Sequence, residues 1–235
     1  SHRRGMMRKG LIAAAAMGLA ACGNSETSAP TASSPPAASQ PAASEQAAQA
    51  EEAVDRSAAP AGVYANDPKH AYIYFSYDHM GYSRPTVRWR TWNAELDWNP
   101  DAPEQSSVEA TIDVSSIDSG VDALDDHLRS PDFFEAETYP TISFTSTGME
   151  LTGPNTGKMT GDLTIKDVTK PITLDVRINR AADDGFAKAY KLGFSATGKL
   201  NRSDYDAGLY VPMVGDEVQI SIESEFLMPK EETEQ

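Results

Sequence analysis

From residue 63 onward, apolar and polar residues alternate along the chain. In 190–200 the even-numbered positions carry Tyr, Leu, Phe, Ala, Gly and Leu, whereas the odd-numbered ones carry Lys, Gly, Ser, Thr and Lys. The same period of two recurs in 108–114, 172–179 and 218–226. Alternation with one apolar face is typical of a half-buried antiparallel strand. The pattern therefore predicts a domain built mainly from antiparallel strands.

Eight segments of this kind follow one another, with turn residues between most of them. They lie at about 71–77, 87–97, 107–114, 141–150, 158–165, 171–179, 189–200 and 217–227. Turn signals include Asn99-Pro100 and the Gly-Pro-Asn sequence at 153–155. Long sequential strands with short turns predict an all-β fold, an eight-stranded antiparallel β-barrel. Such a barrel encloses either packed side chains or one slender ligand.

One short helix is predicted between the third and fourth strands. Ser116 or Asp118 can cap its start, and Pro131 ends it. Its apolar face would carry Val121, Leu124 and Leu128. The next two aromatic residues, Phe133 and Phe134, form either a hydrophobic plug at one barrel end or a lid over a ligand. We favour the plug, because a barrel end has to be covered in either case.

The N-terminal quarter of the chain has a different composition. Residues 24–62 are rich in Ala, Ser, Pro, Gln and Glu, with Val54 as the single β-branched aliphatic residue and no aromatic. Such a stretch cannot bury enough apolar surface to offset the entropy of ordering. We therefore expect a disordered linker at 22–62, a barrel domain at 63–229 and an acidic tail at 230–235.

Residues 1–21 fit a bacterial lipoprotein signal peptide. A basic start at 7–9 precedes an apolar run at 11–18, which is too short to span a membrane. The sequence Leu19-Ala20-Ala21-Cys22 has the form of a lipobox and predicts a lipid on Cys22. The alternative is an ordinary signal peptide with Cys22 unmodified. Residues 1–5 are interpreted as a cloning remnant or a misassigned start.

Charge and cysteine content narrow the possible partners. Cys22 is the single cysteine, so no intrachain disulfide can form. The net charge is −15, and it becomes −19 without residues 1–21, because they hold four basic and no acidic residues. This charge argues against nucleic acid and against membrane binding through protein charge. We expect a periplasmic protein anchored by the lipid on Cys22, and Gly23 favours the outer membrane.

No catalytic or metal-binding motif is recognisable in the sequence. No two histidines have the spacing of metal ligands, and no cysteine remains in the predicted barrel. A Gly-x-Ser-x-Gly elbow, a His-Glu-x-x-His motif and a phosphate-binding glycine loop are all missing. The acidic run at 122–126 is typical of a solvated face. The sequence thus predicts no enzymatic activity, no metal and no cofactor.

Seven short motifs, in the same order, resemble the YceI-like family of secreted bacterial lipid-binding proteins. They lie at 78–83, 114–118, 128–134, 139–144, 161–165, 201–205 and 215–218. The resemblance spans about residues 63–228. It implies a lipocalin-like barrel with a long apolar tunnel, export to the periplasm, and a polyisoprenoid, isoprenoid quinone or fatty-acyl lipid as ligand. Many members of the family pair, so a homodimer is compatible with the resemblance.

Aromatic residues supply most of the candidate lipid contacts. Trp and Tyr combine large apolar area with one polar group, which suits a tunnel mouth, although core packing is the alternative for those in 72–98. The predicted ligand-binding residues are Phe75, Tyr77, His79, Trp89, Trp92, Phe133, Phe144 and Phe194. His79 would either contact a ligand head group or hydrogen-bond backbone at a strand end. Each buried ligand methylene contributes roughly 0.8 kcal/mol, so a long chain needs no charged anchor.

Three positions depart from the pattern of the family. Val87-Arg88-Trp89 stands where the family has Gly-x-Phe, and Asp167 and Asp206 stand where it has Gly. Trp89 motivates an alternative in which the barrel is filled by its own side chains and acts as a stress-related or envelope-assembly interaction module. Asp tolerates the left-handed turn conformation moderately well, so we expect the turn at Asp167 to be retained. Three arginines are expected to balance surface acids, with a pyrophosphate or carboxylate head as the alternative partner: Arg88, Arg90 and Arg202.

Overall fold

The computed structural model describes residues 51–230. The predicted signal peptide, Cys22 and most of the predicted linker lie outside the described residues. The strands are β1 Gly62–Ser76, β2 Thr86–Trp89, β3 Trp92–Trp98, β4 Ser107–Asp113, β5 Ile117–Asp118, β6 Thr141–Leu151, β7 Thr156–Ile165, β8 Val168–Asp184, β9 Ala189–Asn201 and β10 Glu217–Pro229. The helix α1 spans Asp122–Arg129. Short 3₁₀ turns lie at Arg56–Ala58, Pro103–Gln105, Val114–Ser116 and Arg202–Tyr205.

Eight of these strands form a closed antiparallel barrel. The ring runs β1, β3, β4, β6, β7, β8, β9 and β10, and β10 pairs with β1 to close it. The short strand β2 pairs with the second half of β1 and with β5. The predicted eight-stranded barrel with one helix is therefore confirmed. The predicted strand at 87–97 is divided into β2 and β3, and β1 begins at Gly62 rather than at residue 71.

A bulge in β1 explains the late start predicted for this strand. Pairing with β10 shifts between Asn66 and Ala71, where Asp-Pro-Lys-His interrupts the alternation. The buried side chain of Asn66 bridges the gap to β3. Its Nδ2 donates to the carbonyl of Trp92 at 3.3 Å, and its Oδ1 accepts from the amide of Ala94 at 2.9 Å. The Asn66 side chain thus makes the hydrogen bonds to β3 that backbone groups would make in a regular strand. These bonds keep the barrel closed at the bulge.

The helix α1 begins differently from the prediction. Neither Ser116 nor Asp118 caps it. Its N-cap is Val121, and the buried carboxylate of Asp125 accepts the amide N–H of Ser119 at 2.7 Å. A carboxylate near the first turn also interacts favourably with the helix dipole. Val121 is 56% exposed, so the apolar face consists of two residues that pack inward: Leu124 and Leu128.

The segment 51–61 corrects the predicted extent of the linker. Ala59 is fully buried, and its carbonyl accepts from Nε1 of Trp98, on β3, at 3.0 Å. Arg177, on β8, donates to Glu51 at 3.3 Å. Because β3 and β8 lie on opposite sides of the ring, the segment crosses one end of the barrel. The prediction that the disordered linker extends to residue 62 was wrong. Burial of residues such as Ala59 at this end of the barrel offsets the entropy that the segment loses on ordering.

The two positions where Asp replaces the Gly of the family differ in backbone conformation. The β7–β8 hairpin pairs Ile165 with Val168 across a two-residue loop, so the turn at Asp167 is retained. Within this loop Lys166, with φ of 57°, takes the left-handed conformation rather than Asp167. Asp206 does adopt it, with φ of 53° and ψ of 31°. Asp is among the residues that tolerate this region.

Candidate lipid-binding cavity

An apolar cavity of about 610 Å³ lies inside the barrel. This volume is within the range of roughly 300–1,000 Å³ found for small-molecule sites. The interior of an eight-stranded barrel is just wide enough for side chains to fill. Here several inner-face residues are small: Ala94, Ala110, Gly161, Ala196 and Gly198. A Cβ on Gly161 would lie 2.3 Å from Cζ of Phe144, so this glycine lets the Phe144 ring lie against the wall.

The structure brings the predicted ligand-binding residues together. All eight line the cavity: Phe75, Tyr77, His79, Trp89, Trp92, Phe133, Phe144 and Phe194. Their contact with a ligand stays a prediction. The prediction omitted the aliphatic half of the wall, which includes Met159, Ile172, Leu174, Val176, Ile220 and Ile222. The apolar side of the strand alternation identifies these residues, since most of them share the parity of the inward-facing positions.

Aromatic rings close the end of the barrel beside α1. The ring of Phe134 lies 5.0 Å from Trp89 in an edge-on arrangement and 6.4 Å from Phe75. The neighbouring Phe133 packs edge-on against His127 at 5.0 Å. Phe133 and Phe134 therefore occupy the position of the predicted plug. Trp89 belongs to this end packing, and the cavity persists beside it, so its larger ring does not fill the lumen.

His79 lies in a hydrogen-bonded turn after β1, and its contact with a ligand head group stays a prediction. Its backbone amide donates to the carbonyl of Ser83 at 2.9 Å, and its carbonyl accepts from the amide of Tyr82 at 3.0 Å. Its side chain meanwhile lines the cavity. A bridge between His79 and Val214 also ties this turn to the loop that precedes β10. The residue thus joins two loops at the α1 end and presents an imidazole to the lumen.

Arg202 differs most from its predicted role. Its guanidinium is partly buried and donates to four backbone carbonyls, those of Ala207, Leu209, Val214 and Gly215, at 2.8–2.9 Å. Burial lowers the pKa of Arg202, while Asp216 and Tyr77 oppose this shift. The group holds the loop 207–215 rather than a surface acid or a ligand head. The expectation holds for Arg90, which pairs with Asp118 at 3.2 Å, but not for Arg88, whose guanidinium lies 4.7 Å from the centroid of the Tyr72 ring.

Two phenols contribute to the remaining polarity of the cavity. Burial raises the pKa of Tyr77, against the opposing charge of Arg202. Burial also raises the pKa of Tyr205, and Asp204 adds to the shift. Both phenols are therefore uncharged at neutral pH. Among residues 51–230, the cavity lining contains no carboxylate, and its guanidinium is engaged with backbone carbonyls. The cavity is suited to a largely apolar molecule.

A separate cluster on the barrel exterior was not foreseen from the sequence. Potential ligand atoms of Asp67, His70 and Glu225 lie within 4.8 Å of one another at the β1 bulge. The imidazole Nδ1 of His70 lies 2.8 Å from a carboxylate oxygen of Asp67. The ammonium of Lys191 contacts Glu225 and balances the negative charge. We interpret this cluster as a surface ion-pair network, which the bulge creates by bringing distant strand positions together.

Within residues 51–230, no helix combines the length and the hydropathy needed to cross a bilayer.

Known proteins share both sequence and fold with this domain. A family model described as a YceI-like domain matches residues 64–226. Protein YceI of Escherichia coli, strain UMN026, is 32% identical over 162 residues, which cover 69% of this chain and 84% of that protein. A UPF0312 protein of Photorhabdus laumondii is 34% identical over 155 residues, covering 65% of this chain and 80% of that protein.

Solved structures extend the similarity to three dimensions. BcnA of Burkholderia cenocepacia has a TM-score of 0.61 at 26% identity, covering 68% of this chain and 98% of that one. The YceI protein of Campylobacter jejuni has a TM-score of 0.59 at 33% identity, covering 63% and 87%. A polyisoprenoid binding domain from Saccharophagus degradans has a TM-score of 0.56, covering 72% and 99%. At 12% identity, this last structure shows a shared fold alone.

Proposed function

Because this chain belongs to the YceI-like family, we propose that it binds a long apolar lipid inside its β-barrel. The observation that carries this proposal is the cavity of about 610 Å³, lined almost entirely by apolar side chains. We propose a polyisoprenoid, an isoprenoid quinone or a fatty-acyl compound as the ligand. The name of the Saccharophagus domain, which has the same fold, supports the first of these classes.

The physical basis of the proposed binding is burial of the ligand chain. Each methylene removed from water contributes roughly 0.8 kcal/mol, so ten of them contribute about 8 kcal/mol before the costs of association. The aromatic plug at Phe133 and Phe134 would shield one end of such a chain from water. A lipid that is insoluble outside the membrane would thereby be sequestered or carried through an aqueous compartment.

Filling the cavity tests this function. We expect native mass spectrometry of the gently purified protein to show a co-purifying hydrophobic molecule, and Ala196→Phe to lose it. Ala196 lies on the inner face between Val176 and Ile222, whereas its exposed neighbour Thr197 faces outward. Thr197→Phe is therefore the matched control and should retain the ligand.

A second filling variant guards against misfolding. Ala110→Leu adds less volume on the opposite wall, because β4 and β9 face each other across the ring. Circular dichroism would verify that each variant keeps its strands. The proposal would be contradicted if the wild-type protein were purified without a ligand and took up no added prenyl chain. Equal ligand retention in the inward- and outward-facing Phe variants would place the lipid outside the cavity.

We further propose that the protein is a periplasmic lipoprotein anchored at the outer membrane. The support is the lipobox that ends at Cys22, together with Gly23 after it. Replacement of the thiol by a hydroxyl removes the thioether acceptor, so Cys22→Ser should move the protein from the membrane pellet to the soluble periplasmic fraction. Continued pelleting of this variant would count against the anchor and leave the proposed lipid cavity unaffected.

A further inference from the structure

Three glycines on the inner face of the barrel lie beneath a large side chain of a neighbouring strand. Gly157 and Gly161 are on β7, and Gly198 is on β9. A Cβ on each of them would lie between 2.3 and 2.9 Å from a side-chain atom of the next strand. The three covering residues all line the cavity: Met149, Phe144 and Leu174. Each large side chain therefore fills space in the wall that its neighbour leaves free, instead of extending across the lumen.

Gly198 and Leu174 form the pair in which this arrangement depends on side-chain atoms alone. A Cβ on Gly198 would lie 2.5 Å from Cδ2 of Leu174, and the nearest backbone atom, the carbonyl oxygen of Thr173, would be 3.4 Å away. Carbon atoms pack at about 3.5–4.0 Å, so a methyl group of Leu174 occupies the place of a side chain at position 198. At Gly157 and Gly161 a backbone carbonyl would also be too close, at 2.8 and 2.7 Å. Only at position 198 can movement of one side chain make room for a larger residue.

The surroundings of Leu174 fix the direction of that movement. On the side away from Gly198, Leu174 pairs with Met159 of β7, whose side chain also lines the cavity. Behind Leu174 lies the backbone of the sheet. Because protein interiors are close-packed, a side chain added at position 198 would turn Leu174 toward the lumen. Gly198 therefore controls how much of the cavity cross-section is open at this point.

We infer that Gly198 is a specificity-determining residue, which sets the width of the chain that the cavity accepts. This inference rests on the proposed lipid-binding function and names the position that selects among lipids. A methyl-branched chain is wider than a straight one, because its branches project from the backbone. It therefore depends more on the space that Leu174 leaves open by lying over Gly198. The glycine lets the cavity accept a branched chain as well as a straight one.

Two alcohols with the same backbone length test the inference. Farnesol is a prenyl alcohol with methyl branches, and dodecan-1-ol is the corresponding straight chain. The three tryptophans of the protein all line the cavity, so their fluorescence can report binding of either alcohol. We expect Gly198→Ala to weaken farnesol binding about tenfold, as expected for a methylene that does not fit an apolar pocket, and dodecan-1-ol binding by less than about twofold.

A second substitution separates the width of the cavity from general damage to the fold. Leu174→Val removes the methyl group that a Cβ at position 198 would meet, and it keeps a residue type favoured in strands. The double variant Gly198→Ala, Leu174→Val should therefore bind farnesol to within about twofold of the wild-type protein. A loss of binding that came from poor folding would not be restored by a second change in the core.

Two further variants complete the design. Gly193, on the same strand, is the matched control, because the nearest atom to a Cβ there would be Cβ of Asn179 at 4.0 Å. Gly193→Ala should bind both alcohols like the wild-type protein. Leu174→Phe narrows the lumen without changing a glycine, since the larger ring exceeds the space over Gly198. It should also weaken farnesol binding more than dodecan-1-ol binding.

The outcomes distinguish this inference from the proposed function. If Gly198→Ala binds farnesol as tightly as the wild-type protein, or loses both alcohols equally, Gly198 does not set the width and the lipid cavity stands. Failure of Leu174→Val to restore farnesol binding would overturn the inference in the same way. If Gly198→Ala does not fold by circular dichroism, Leu174→Phe decides by the same two criteria. If the wild-type protein binds neither alcohol nor any longer prenyl chain, the proposed function itself fails.

Discussion

The two ends of the barrel are covered by different parts of the chain. At the α1 end, Phe133 and Phe134 pack as a plug, and Arg202 holds the loop 207–215. At the opposite end, residues 51–61 cross the ring and are held through Asn155, in the β6–β7 turn. The first cover comes from loops between strands, inside the family-matched domain. The second precedes the matched residues 64–226.

The two covers also use different chemistry. The guanidinium of Arg202 donates four charge-assisted bonds, which are stronger than bonds between neutral groups. Asn155 is buried and neutral. Its Oδ1 accepts from Val54 at 2.7 Å, and its Nδ2 donates to Glu51 and to the carbonyl of Glu52 at 2.9 Å. Loss of the Arg202 side chain at the α1 end should therefore lower the free energy of unfolding more than loss of the Asn155 side chain at the other end.

The largest effect is expected at Arg202. Arg202→Ala leaves four carbonyls of the loop 207–215 without their donor, and we expect the free energy of unfolding to fall by about 3 kcal/mol. Urea denaturation followed by circular dichroism measures this change. Arg202→Lys keeps the charge but not the planar fork, so its loss should be intermediate.

An exposed arginine provides the control for this effect. Arg90 makes one bond to Asp118 at the surface, so Arg90→Ala should change the free energy of unfolding by less than about 0.5 kcal/mol. If the Ala variants of Arg202 and Arg90 have the same stability, Arg202 does not hold the α1 end in the way described. The ends would then differ only in which segment covers them.

A smaller effect is expected at Asn155. Asn155→Ala removes the partner of the Val54 amide, and we expect the free energy of unfolding to fall by about 2 kcal/mol. Hydrogen exchange at the amide of Val54 should accelerate as the segment 51–61 loosens. Asn155→Asp keeps one acceptor but places a carboxylate beside Glu51, so it should be at least as destabilising.

The matched control again uses the same residue type at the surface. Asn179 makes a single exposed bond to Ser195 at 2.8 Å, so Asn179→Ala should have little effect on stability or on exchange at Val54. Unchanged exchange in Asn155→Ala would show that burial of Ala59 and Val54, rather than the amide, holds the segment. The cover formed by residues 51–61 would then depend on packing rather than on hydrogen bonds.

The strands were predictable because each one buries a single face. Alternation located all eight members of the ring, and it failed mainly at 62–70, where the bulge at Asp67 to His70 breaks the period. The aromatic cavity residues were predictable for a related reason. Inward-facing side chains of the barrel strands line the lumen, and small residues such as Ala94 and Ala110 leave part of it open.

Other parts of the site depend on contacts that no periodic pattern in the sequence reveals. The carbonyls that accept from Arg202 are only 5 to 13 positions away, but the irregular path of the loop 207–215 brings them to the guanidinium. The order of residues 51–61 likewise depends on Asn155, about a hundred positions away. Composition predicted a segment without a core of its own. It could not indicate that a barrel end would provide one.

By itself the sequence determined the barrel and its helix, because period-two burial and turn residues act over short distances. Only the tertiary structure decided which polar groups have partners. Trp92 and Trp98 are alike in sequence, yet the indole of Trp98 meets Ala59 and that of Trp92 meets none of the described protein. Whether a buried group is paired depends on segments that the fold brings together from distant parts of the sequence, as it does Trp98 and Ala59.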